Sequence, residues 1–196
     1  MRSDCCSNIL FWRYWHSRIS KNAIKKGGYL MKIIMLGAPG AGKGTQSGRL
    51  VEKYGLLYIS TGDILRKETA SGSELGQEIN RITSQGHFVS DDLIMRIIRK
   101  TIRENPHANG ILFDGFPRTL SQAALLEGLM DELTTRFFGV LGLEVPREEL
   151  IERLLNRGKV SGRADDKEAV IIERLKEYEE KTWPVATYFM ERNRYY

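Results

Sequence analysis

From residue 31 onward, short apolar runs alternate with longer segments in which apolar residues recur every three or four positions. The short runs predict buried β-strands and the longer segments predict amphipathic helices. Strands are predicted at 32–36, 57–59, 111–114 and 138–144, and helices at about 45–53, 74–85, 91–104, 119–130, 147–156 and 166–182, with a further helix start at 60–63. This alternation is typical of a three-layer α/β fold with a parallel sheet. Such a sheet binds ligands beyond the carboxyl ends of its strands, so the loops that follow the strands are expected to converge.

A glycine-rich segment joins the first predicted strand to the first predicted helix. It reads Gly37-Ala-Pro-Gly-Ala-Gly-Lys-Gly-Thr45 and follows the apolar run at 33–36. Its glycines let successive backbone N–H groups point at one anion, and the positive end of the following helix faces the same point. A turn that only links a strand to a helix is the plainer alternative. We favour a phosphate-binding loop, because strand, loop and helix occur in the order that this motif requires.

Composition narrows the possible classes of protein. The 196 residues are 41% hydrophobic and 28% charged, which is typical of a globular protein with one core. No apolar stretch has the length of a membrane span, and the adjacent Cys5 and Cys6 predict neither a disulfide framework nor a zinc site. The net charge of +5 comes from residues 1–30, which hold six basic residues and one acidic residue. Residues 31–196 carry 24 of each sign, so no nucleic-acid partner is expected.

Residues 1–30 resemble no compact element, and we interpret them as an N-terminal extension that is disordered or not native to the fold. Their acid-poor, Arg-containing composition is compatible with a transit peptide, which would place the protein in an organelle matrix. Arg13 interrupts the apolar patch and no small-residue cleavage site follows it, which disfavours a secretory signal. Because Met31 begins the first strand without anything before it, we favour an upstream extension and a cytoplasmic protein.

Several further motifs follow the phosphate loop. They are Ser60-Thr-Gly-Asp-Ile-Leu-Arg66, Gly86-His-Phe-Val-Ser-Asp-Asp92, Phe113-Asp-Gly-Phe-Pro-Arg-Thr119 with Gln122, Ile151-Glu-Arg-Leu-Leu-Asn-Arg157 and Ser161-Gly-Arg-Ala-Asp-Asp166. With these motifs the chain resembles the adenylate kinases of the nucleoside monophosphate kinase family from Met31 to its end. The Gly-Lys-Gly-Thr variant of the phosphate loop is itself typical of that family. Only five residues separate Arg157 from Arg163, which resembles the short-lid form.

The resemblance implies reversible transfer of the terminal phosphoryl group of ATP to AMP, giving two ADP, by a monomer that uses Mg²⁺. The ATP-binding residues that it implies are Gly40, Ala41, Gly42, Lys43, Gly44, Thr45 and Arg153. The implied AMP-binding residues are Thr61, Arg66, His87, Phe88, Val89, Gly115, Phe116, Pro117, Arg118, Gln122, Arg163 and Arg174. The implied catalytic cations are Lys43, Arg118, Arg157, Arg163 and Arg174. Asp114 and Asp63 match acidic positions near Mg²⁺, where they would act through water.

The chemistry of these side chains agrees with phosphoryl transfer. Its loose transition state places charge on the equatorial oxygens, so catalysis rests on positioning and on cations. Arginine suits this task because its planar fork binds phosphate oxygens bidentately. No general base is needed, because a phosphate acceptor is already an anionic nucleophile, whereas an alcohol acceptor would require one.

Some of these residues also have plainer explanations. Glu149 and Arg153 are spaced as an ordinary surface ion pair on a helix. Asp165 and Asp166 could start a helix, with Glu168 completing a capping box. His87 could be a solvated loop residue. We favour the functional interpretation of the arginines because six of them fall on the positions of one family pattern.

We expect one domain at 31–196, with a monophosphate-binding insertion at about 60–89 and a short flap at about 158–164. The chain stops roughly where the fifth strand of the family's sheet would begin, so the last strand and the C-terminal helix are expected to be lacking. An unpaired strand edge would then lower stability. Two alternatives stay open: a UMP/CMP kinase, which typically has a smaller residue in place of Thr61, and a nucleotide-binding form impaired in catalysis by the missing C-terminus. No Asn-Lys-x-Asp segment occurs, which disfavours a GTPase.

Overall fold

A parallel sheet lies at the centre of the structure, a computed structural model that describes residues 31–85, 87–133, 139–162 and 164–196. Its strands are β1 (Met31–Gly37), β2 (Leu57–Ser60), β3 (Gly110–Asp114) and β4 (Gly139–Leu143). Within these ranges the strand order is β2–β3–β1–β4, and every neighbouring pair is parallel. The predicted strands are confirmed, each to within one residue at either end. The predicted extension at 1–30 and the site residue Arg163 lie outside the described residues.

Helices cover both faces of this sheet. They are α1 (Lys43–Tyr54), α2 (Thr61–Ala70), α3 (Glu74–Thr83), α4 (Asp91–Arg103), α5 (Leu120–Glu132), α6 (Arg147–Ser161), α7 (Glu168–Glu177) and α8 (Trp183–Met190). On one face, Ile34 of β1 belongs to a core with Ile98 of α4 and Phe189 of α8. On the other face, Ile33 packs with Leu50 of α1. Because neighbouring strand residues point to opposite faces, β1 is buried on both sides, and the predicted three-layer fold is confirmed.

The predicted end of α6 at residue 156 is wrong, because the helix continues to Ser161. Gly158 does not stop it: a Cβ there would lie 3.1 Å from both Cβ and the carbonyl oxygen of Asp166, so this glycine allows the next segment to pack closely. The helix ends at Gly162, which has φ 62° and donates its N–H to the carbonyl of Gly158. Most of the segment predicted as a flap is therefore helical.

The single helix predicted at 166–182 is also wrong. A 3₁₀ turn at Ala164–Asp166 precedes α7, and a π-helical turn at Tyr178–Thr182 joins α7 to α8. Pro184 lies in the first turn of α8 and has no N–H to donate to the carbonyls of the π-helical turn before it.

The last residues of the chain run beside β4 and parallel to it. Val140 donates its N–H to the carbonyl of Arg194, and Tyr196 donates its N–H to the carbonyl of Val140. This is the place at which the resemblance puts the start of a fifth strand. Gly142 makes room for it, because a Cβ there would lie 2.0 Å from Oη of Tyr195. The edge of β4 is thus paired at Val140 and Gly142, although an unpaired edge was expected.

Candidate active site

The phosphate loop connects β1 to α1 through glycines in the left-handed region. Gly40 has φ 85° and Gly42 has φ 89°, conformations that residues with a Cβ rarely adopt. A Cβ on Gly40 would also lie 3.0 Å from Cγ of Leu154, so this glycine lets α6 approach the loop. Lys43 is the first residue of α1, and its Nζ donates to the carbonyl oxygens of Gly37 at 2.8 Å and Ala38 at 3.0 Å. The ammonium group is therefore held inside the curve of the loop.

The charge of Lys43 depends on its surroundings. The pKa of this lysine is lowered to about 8: burial is the largest cause, the guanidinium groups of Arg118, Arg174 and Arg157 act in the same direction, and Asp114 opposes them. Several cations are thus held closely enough to repel one another. Such a cluster favours an anionic ligand, which would relieve the repulsion.

A cavity of 370 Å³, which we call the phosphate-loop cavity, opens in front of this lysine. Of the predicted ATP-binding residues, it is lined by Gly40, Gly42, Lys43, Gly44, Thr45 and Arg153. Ala41 is buried behind it and packs with Leu150 and Leu154. Arg153 donates to Oε1 of Glu149, so the ordinary helix ion pair is present although the same arginine lines the cavity.

A second cavity, of 270 Å³, lies between α2, α3 and the ends of β3 and α7; we call it the insertion cavity. The predicted AMP-binding residues that line it are Thr61, Arg66, His87, Phe88, Val89, Gly115, Phe116, Arg118, Gln122 and Arg174. Pro117 instead lines a small cavity of 70 Å³ together with Lys43 and Phe88. The chain therefore brings the described members of this predicted group to one region.

The turn after β3 shapes the insertion cavity. Gly115 has φ 76°, and a Cβ there would lie 2.9 Å from Oγ1 of Thr61, so glycine allows this close approach. Thr61 donates its hydroxyl to the carbonyl of Gly115 at 2.9 Å, which joins the start of α2 to the end of β3. Phe116 is fully buried, so the same turn is also anchored in the core.

Arg118 is a partly buried cation that lines the insertion cavity. Its Nε donates to the carbonyl of Gly115 at 2.7 Å, and its guanidinium lies 5.0 Å from the ring centre of Phe88. Burial, as the largest cause, and the neighbouring Arg174 together lower the pKa of Arg118 to about 10, although Asp114 and Glu177 raise it. An arginine with so low a pKa remains charged at neutral pH but gains much from an anionic ligand.

Asp166 holds two of the predicted catalytic arginines. Its fully buried carboxylate accepts two hydrogen bonds of 2.7 Å from Nε and Nη2 of Arg157 and one of 3.2 Å from Nη1 of Arg174. The expectation that Asp166 starts a helix with Glu168 is wrong, because its oxygens bind guanidinium groups and α7 has no side-chain cap. Asp165 lies 2.8 Å from Nη1 of Arg174 and completes the group. Sequence reasoning missed this role of Asp166; its one signal was an acidic pair close to the arginines of the same motif.

The two acidic positions predicted near Mg²⁺ differ in their surroundings. Asp114 is 8% exposed, lines the phosphate-loop cavity and accepts a hydrogen bond of 2.7 Å from the hydroxyl of Tyr58. Asp63 is half exposed at the rim of the same cavity and pairs with Arg66. Tyr58 was not predicted, because nothing local in the sequence links it to a residue 56 positions away.

His87 is half exposed, as a solvated loop residue would be, but it also has a partner. Its Nδ1 lies 3.1 Å from Oε1 of Glu177, a carboxylate only 4% exposed that also accepts from Lys181 at 2.8 Å. This contact joins the end of the predicted insertion to α7.

The two large cavities meet at a common set of residues. Both are lined by Gly62, Arg66, Gly115, Arg118 and Arg174. Three of these residues are arginines, and Lys43 and Arg157 face the same region from the phosphate-loop cavity. Two anionic ligands that entered from the two sides would therefore present their anionic ends to one group of cations.

This fold and this site define a class: phosphate-loop α/β proteins in which two cavities meet at a group of cations. A sequence model described as adenylate kinase matches residues 35–194 of this chain. The chain therefore belongs to the adenylate kinase family.

Individual relatives agree with this match. An adenylate kinase of Thermus thermophilus is 47% identical over 160 residues, covering 82% of this chain and 83% of that protein. One of Phocaeicola vulgatus is 43% identical over 166 residues, covering 85% and 88%. One of Porphyromonas gingivalis is 45% identical over 164 residues, covering 84% of each. Among the described helices, none has the length and apolar character that a bilayer span requires.

Proposed function

We propose that this chain transfers the terminal phosphoryl group of ATP reversibly to AMP and so produces two ADP. The observation that carries the proposal is the meeting of the two cavities at Arg118 and Arg174. ATP would occupy the phosphate-loop cavity and AMP the insertion cavity. Their phosphates would then face each other at the cations, which is the arrangement that direct transfer between two nucleotides needs.

The residues of the phosphate loop would bind and orient the triphosphate. Backbone N–H groups of the loop and the start of α1 would hold its phosphates, and Lys43 would exchange its two carbonyl partners for phosphate oxygens. Arg153 would lie against the adenine of ATP. The buried Asp166 would keep the guanidinium of Arg157 in a fixed position, so that little reorganisation accompanies the reaction.

The chemical step needs no protein base. A non-bridging oxygen of the AMP phosphate would attack the γ-phosphorus of ATP, and the bond from that phosphorus to the β,γ-bridging oxygen would break. Arg118, Arg157 and Arg174 would stabilise the charge on the transferred group, together with Lys43. Family membership adds Arg163 to this set. We also propose that residues 60–89 and 158–164 move to close over the substrates and exclude water.

Mg²⁺ fits the carboxylate side of the phosphate-loop cavity. Asp114 is buried there and held by Tyr58, and Asp63 lies at the rim, so both could bind waters of a hydrated ion that is also held by the phosphates. When bound, Mg²⁺ supplies neutralisation of charge on the β- and γ-phosphates. The remaining parts of the proposal are a monomeric state and a cytoplasmic location, for which the alternative is an organelle matrix.

The test measures diphosphate production from ATP with AMP, UMP or CMP as the acceptor. We expect AMP to be preferred by kcat/KM, and a preference for UMP or CMP would assign the chain to the UMP/CMP kinases instead. In parallel, calorimetry measures binding of a dinucleotide in which two adenosines are joined by five phosphates. One molecule bound per chain, with loss of the separate sites for ATP and AMP, is expected from two cavities that meet. Binding of both nucleotides without transfer would contradict the proposed activity.

A further inference from the structure

Gln122 is a buried polar side chain that lines the insertion cavity. It lies on the first turn of α5, is 3% exposed and lines the cavity with Thr61 and Val89. Its Oε1 accepts a hydrogen bond of 2.8 Å from the backbone N–H of Arg118. Its Nε2 donates to Oδ1 of Asp91 at 2.6 Å. Both ends of the amide therefore have a protein partner.

These partners fix which way the amide points. The two ends of a glutamine amide have nearly the same shape, so only hydrogen bonds distinguish them. A backbone N–H can only donate and an ionised carboxylate can only accept. The orientation with Oε1 toward Arg118 and Nε2 toward Asp91 satisfies both, whereas the flipped orientation would place two oxygens together and two donors together.

Asp91 acts from outside the cavity. It is the first residue of α4 and is partly buried, and it is not among the residues that line the insertion cavity. Its second oxygen, Oδ2, accepts a hydrogen bond of 2.7 Å from the hydroxyl of Ser121. The carboxylate is thus held at both oxygens, and it cannot turn away from the Gln122 amide without losing a second bond.

An amide with a fixed orientation can distinguish 6-aminopurines from 6-oxopurines, which have the same size but different hydrogen-bonding groups. Its remaining N–H and its remaining oxygen lone pair form an ordered donor and acceptor pair for a base in the cavity. A 6-aminopurine offers an acceptor at N1 and a donor at the amino group, which fits that pair. A 6-oxopurine offers a donor at N1 and an acceptor at the oxygen, so both contacts would be repulsive unless the amide flipped.

We propose that Asp91 is a positioning residue that sets the preference for a 6-aminopurine over a 6-oxopurine monophosphate, by holding the Gln122 amide in one orientation. The inference rests on the proposed function, because it assumes that the base of the acceptor lies in the insertion cavity. The simpler role of Asp91 is that of an acidic residue in the first turn of a helix, where it interacts with the helix dipole.

The neighbouring Asp92 separates these two roles. It lies in the same first turn of α4, and its side chain is 88% exposed and 3.7 Å from Arg96. Asp92→Asn therefore changes the charge at the start of the helix as Asp91→Asn does, but it leaves the Gln122 amide alone. The experiment measures kcat/KM for AMP and for inosine monophosphate, with ATP as donor, in the wild type and both variants.

We expect Asp91→Asn to lower the ratio of kcat/KM for AMP over inosine monophosphate by about tenfold, because an asparagine can present either its oxygen or its NH2 group to Gln122 and so no longer fixes the orientation of that amide. The variant should keep some preference for AMP, because the backbone N–H of Arg118 still donates to Oε1 of Gln122. Asp92→Asn should leave the ratio within about twofold of the wild type, since exposed charges contribute little. Melting temperatures show which variants fold. If Asp91→Asn does not fold, Asp91→Ala replaces it with the same expected fall in the ratio.

An unchanged ratio in a folded Asp91 variant would overturn the inference while the transfer to AMP stood. An equal fall in Asp91→Asn and Asp92→Asn would also overturn it, since the helix dipole would then account for both. If the wild type bound both nucleotides but transferred nothing to AMP, the proposed function itself would fail, and the inference with it.

Discussion

The phosphate-loop cavity and the insertion cavity differ in how the chain builds them. Gly40, Gly42, Lys43 and Thr45 all lie within six consecutive residues and reach the first cavity together. The insertion cavity instead takes Thr61 from α2, Val89 from the segment before α4, Phe116 from the turn after β3 and Gln122 from α5. The loop that forms one wall of the first cavity is therefore local in the sequence, although Asp114, Arg153 and Arg157 reach that cavity from other elements. The insertion cavity has no such local wall and exists only after β2 and β3 have paired.

This difference predicts different responses to substitution. Changes in the phosphate loop should impair the handling of ATP, and changes in residues that line only the insertion cavity should impair AMP alone. Arg118 and Arg174 line both cavities, so changes in the contacts that hold them should affect both substrates.

The largest expected effect is that of Lys43→Met, which keeps the length of the side chain and removes its charge. We expect kcat to fall by about 10³-fold, because a cation is lost at the transferred phosphate in a buried site. Steady-state kinetics measure this, with Lys53→Met as the control, since Lys53 is an exposed lysine of the same helix. A fall of less than about tenfold for Lys43→Met would contradict a role at the transferred phosphate.

The next largest effect is expected for Asp166→Asn, which alters the contacts of Arg157 and Arg174 without changing the size of the side chain. Misplaced guanidinium groups should lower kcat by about 10²-fold. The loss of a buried charged partner should lower the free energy of unfolding by about 2 kcal/mol, and so the melting temperature by about 5 °C.

Asp165→Asn is the matched control for that variant. The Asp165 side chain is 24% exposed, and among the described residues its ion pair is with Arg174, so we expect a loss of kcat at least about fivefold smaller than for Asp166→Asn. Equal losses of kcat in the two variants would show that the bidentate pair of Asp166 with Arg157 does not contribute more to catalysis than the pair of Asp165 with Arg174. Thermal unfolding followed by circular dichroism measures the stability part.

The role of Asp166 also shows where sequence reasoning ends. The phosphate loop and the strands could be predicted because glycine spacing and apolar runs act within a few residues. Asp165 and Asp166 gave a local signal as well, that of a capping box, but tertiary contacts overrode it. The carboxylate reaches Arg157 because Gly158, which has no Cβ, lets the 3₁₀ turn that contains Asp166 pack closely against α6.

Contacts between distant segments were missed for a related reason. Tyr58 donates to Asp114 because the pairing of β2 with β3 places Ser60 beside Asp114, two residues beyond Tyr58 and on the same side of the strand. The identities of Tyr58 and Asp114 do not predict the register in which β2 pairs with β3. The motif resemblance could nevertheless locate the cavity residues, since each described residue that it named, except Ala41, lines one of the three cavities.

A smaller and more selective effect is expected for Thr61→Val, because Thr61 lines the insertion cavity and not the phosphate-loop cavity. The substitution removes the hydroxyl that holds the carbonyl of Gly115. We expect kcat/KM for AMP to fall about fivefold to tenfold, the cost of one lost hydrogen bond, because Nε of Arg118 still donates to the same carbonyl. The KM for ATP should stay within about twofold, since ATP makes no contact there.

Thr83→Val is a control from the same cavity. Its hydroxyl donates to the carbonyl of Ile79 within its own helix, so its loss should leave kcat/KM for AMP nearly unchanged. If Thr61→Val raised the KM for ATP as much as that for AMP, the two cavities would not be separable, and the comparison would fail.

The smallest effect concerns pH. Because burial lowers the pKa of Lys43 to about 8, kcat/KM for ATP should fall on the alkaline side as the free enzyme loses this charge. At pH 8.5 we expect it to be about fourfold lower than at pH 7, from the fraction of lysine that remains protonated. At saturating ATP the bound phosphates keep Lys43 charged, so kcat/KM for AMP should stay nearly constant over the same range.

The direction in which folding stability changes with pH distinguishes the loss of charge at Lys43 from unfolding at alkaline pH. Lys43 loses its proton near pH 8 in the folded chain but at its ordinary, higher pKa in the unfolded chain, so the unfolded state binds more protons between those values. The contribution of Lys43 to stability therefore rises with pH over this window, while activity falls. The buried Lys32, whose pKa burial also lowers to about 8, acts in the same direction. A fall in melting temperature between pH 7.5 and 8.5 that tracked the activity would attribute the profile to unfolding, and a flat profile for ATP would remove Lys43 as its cause.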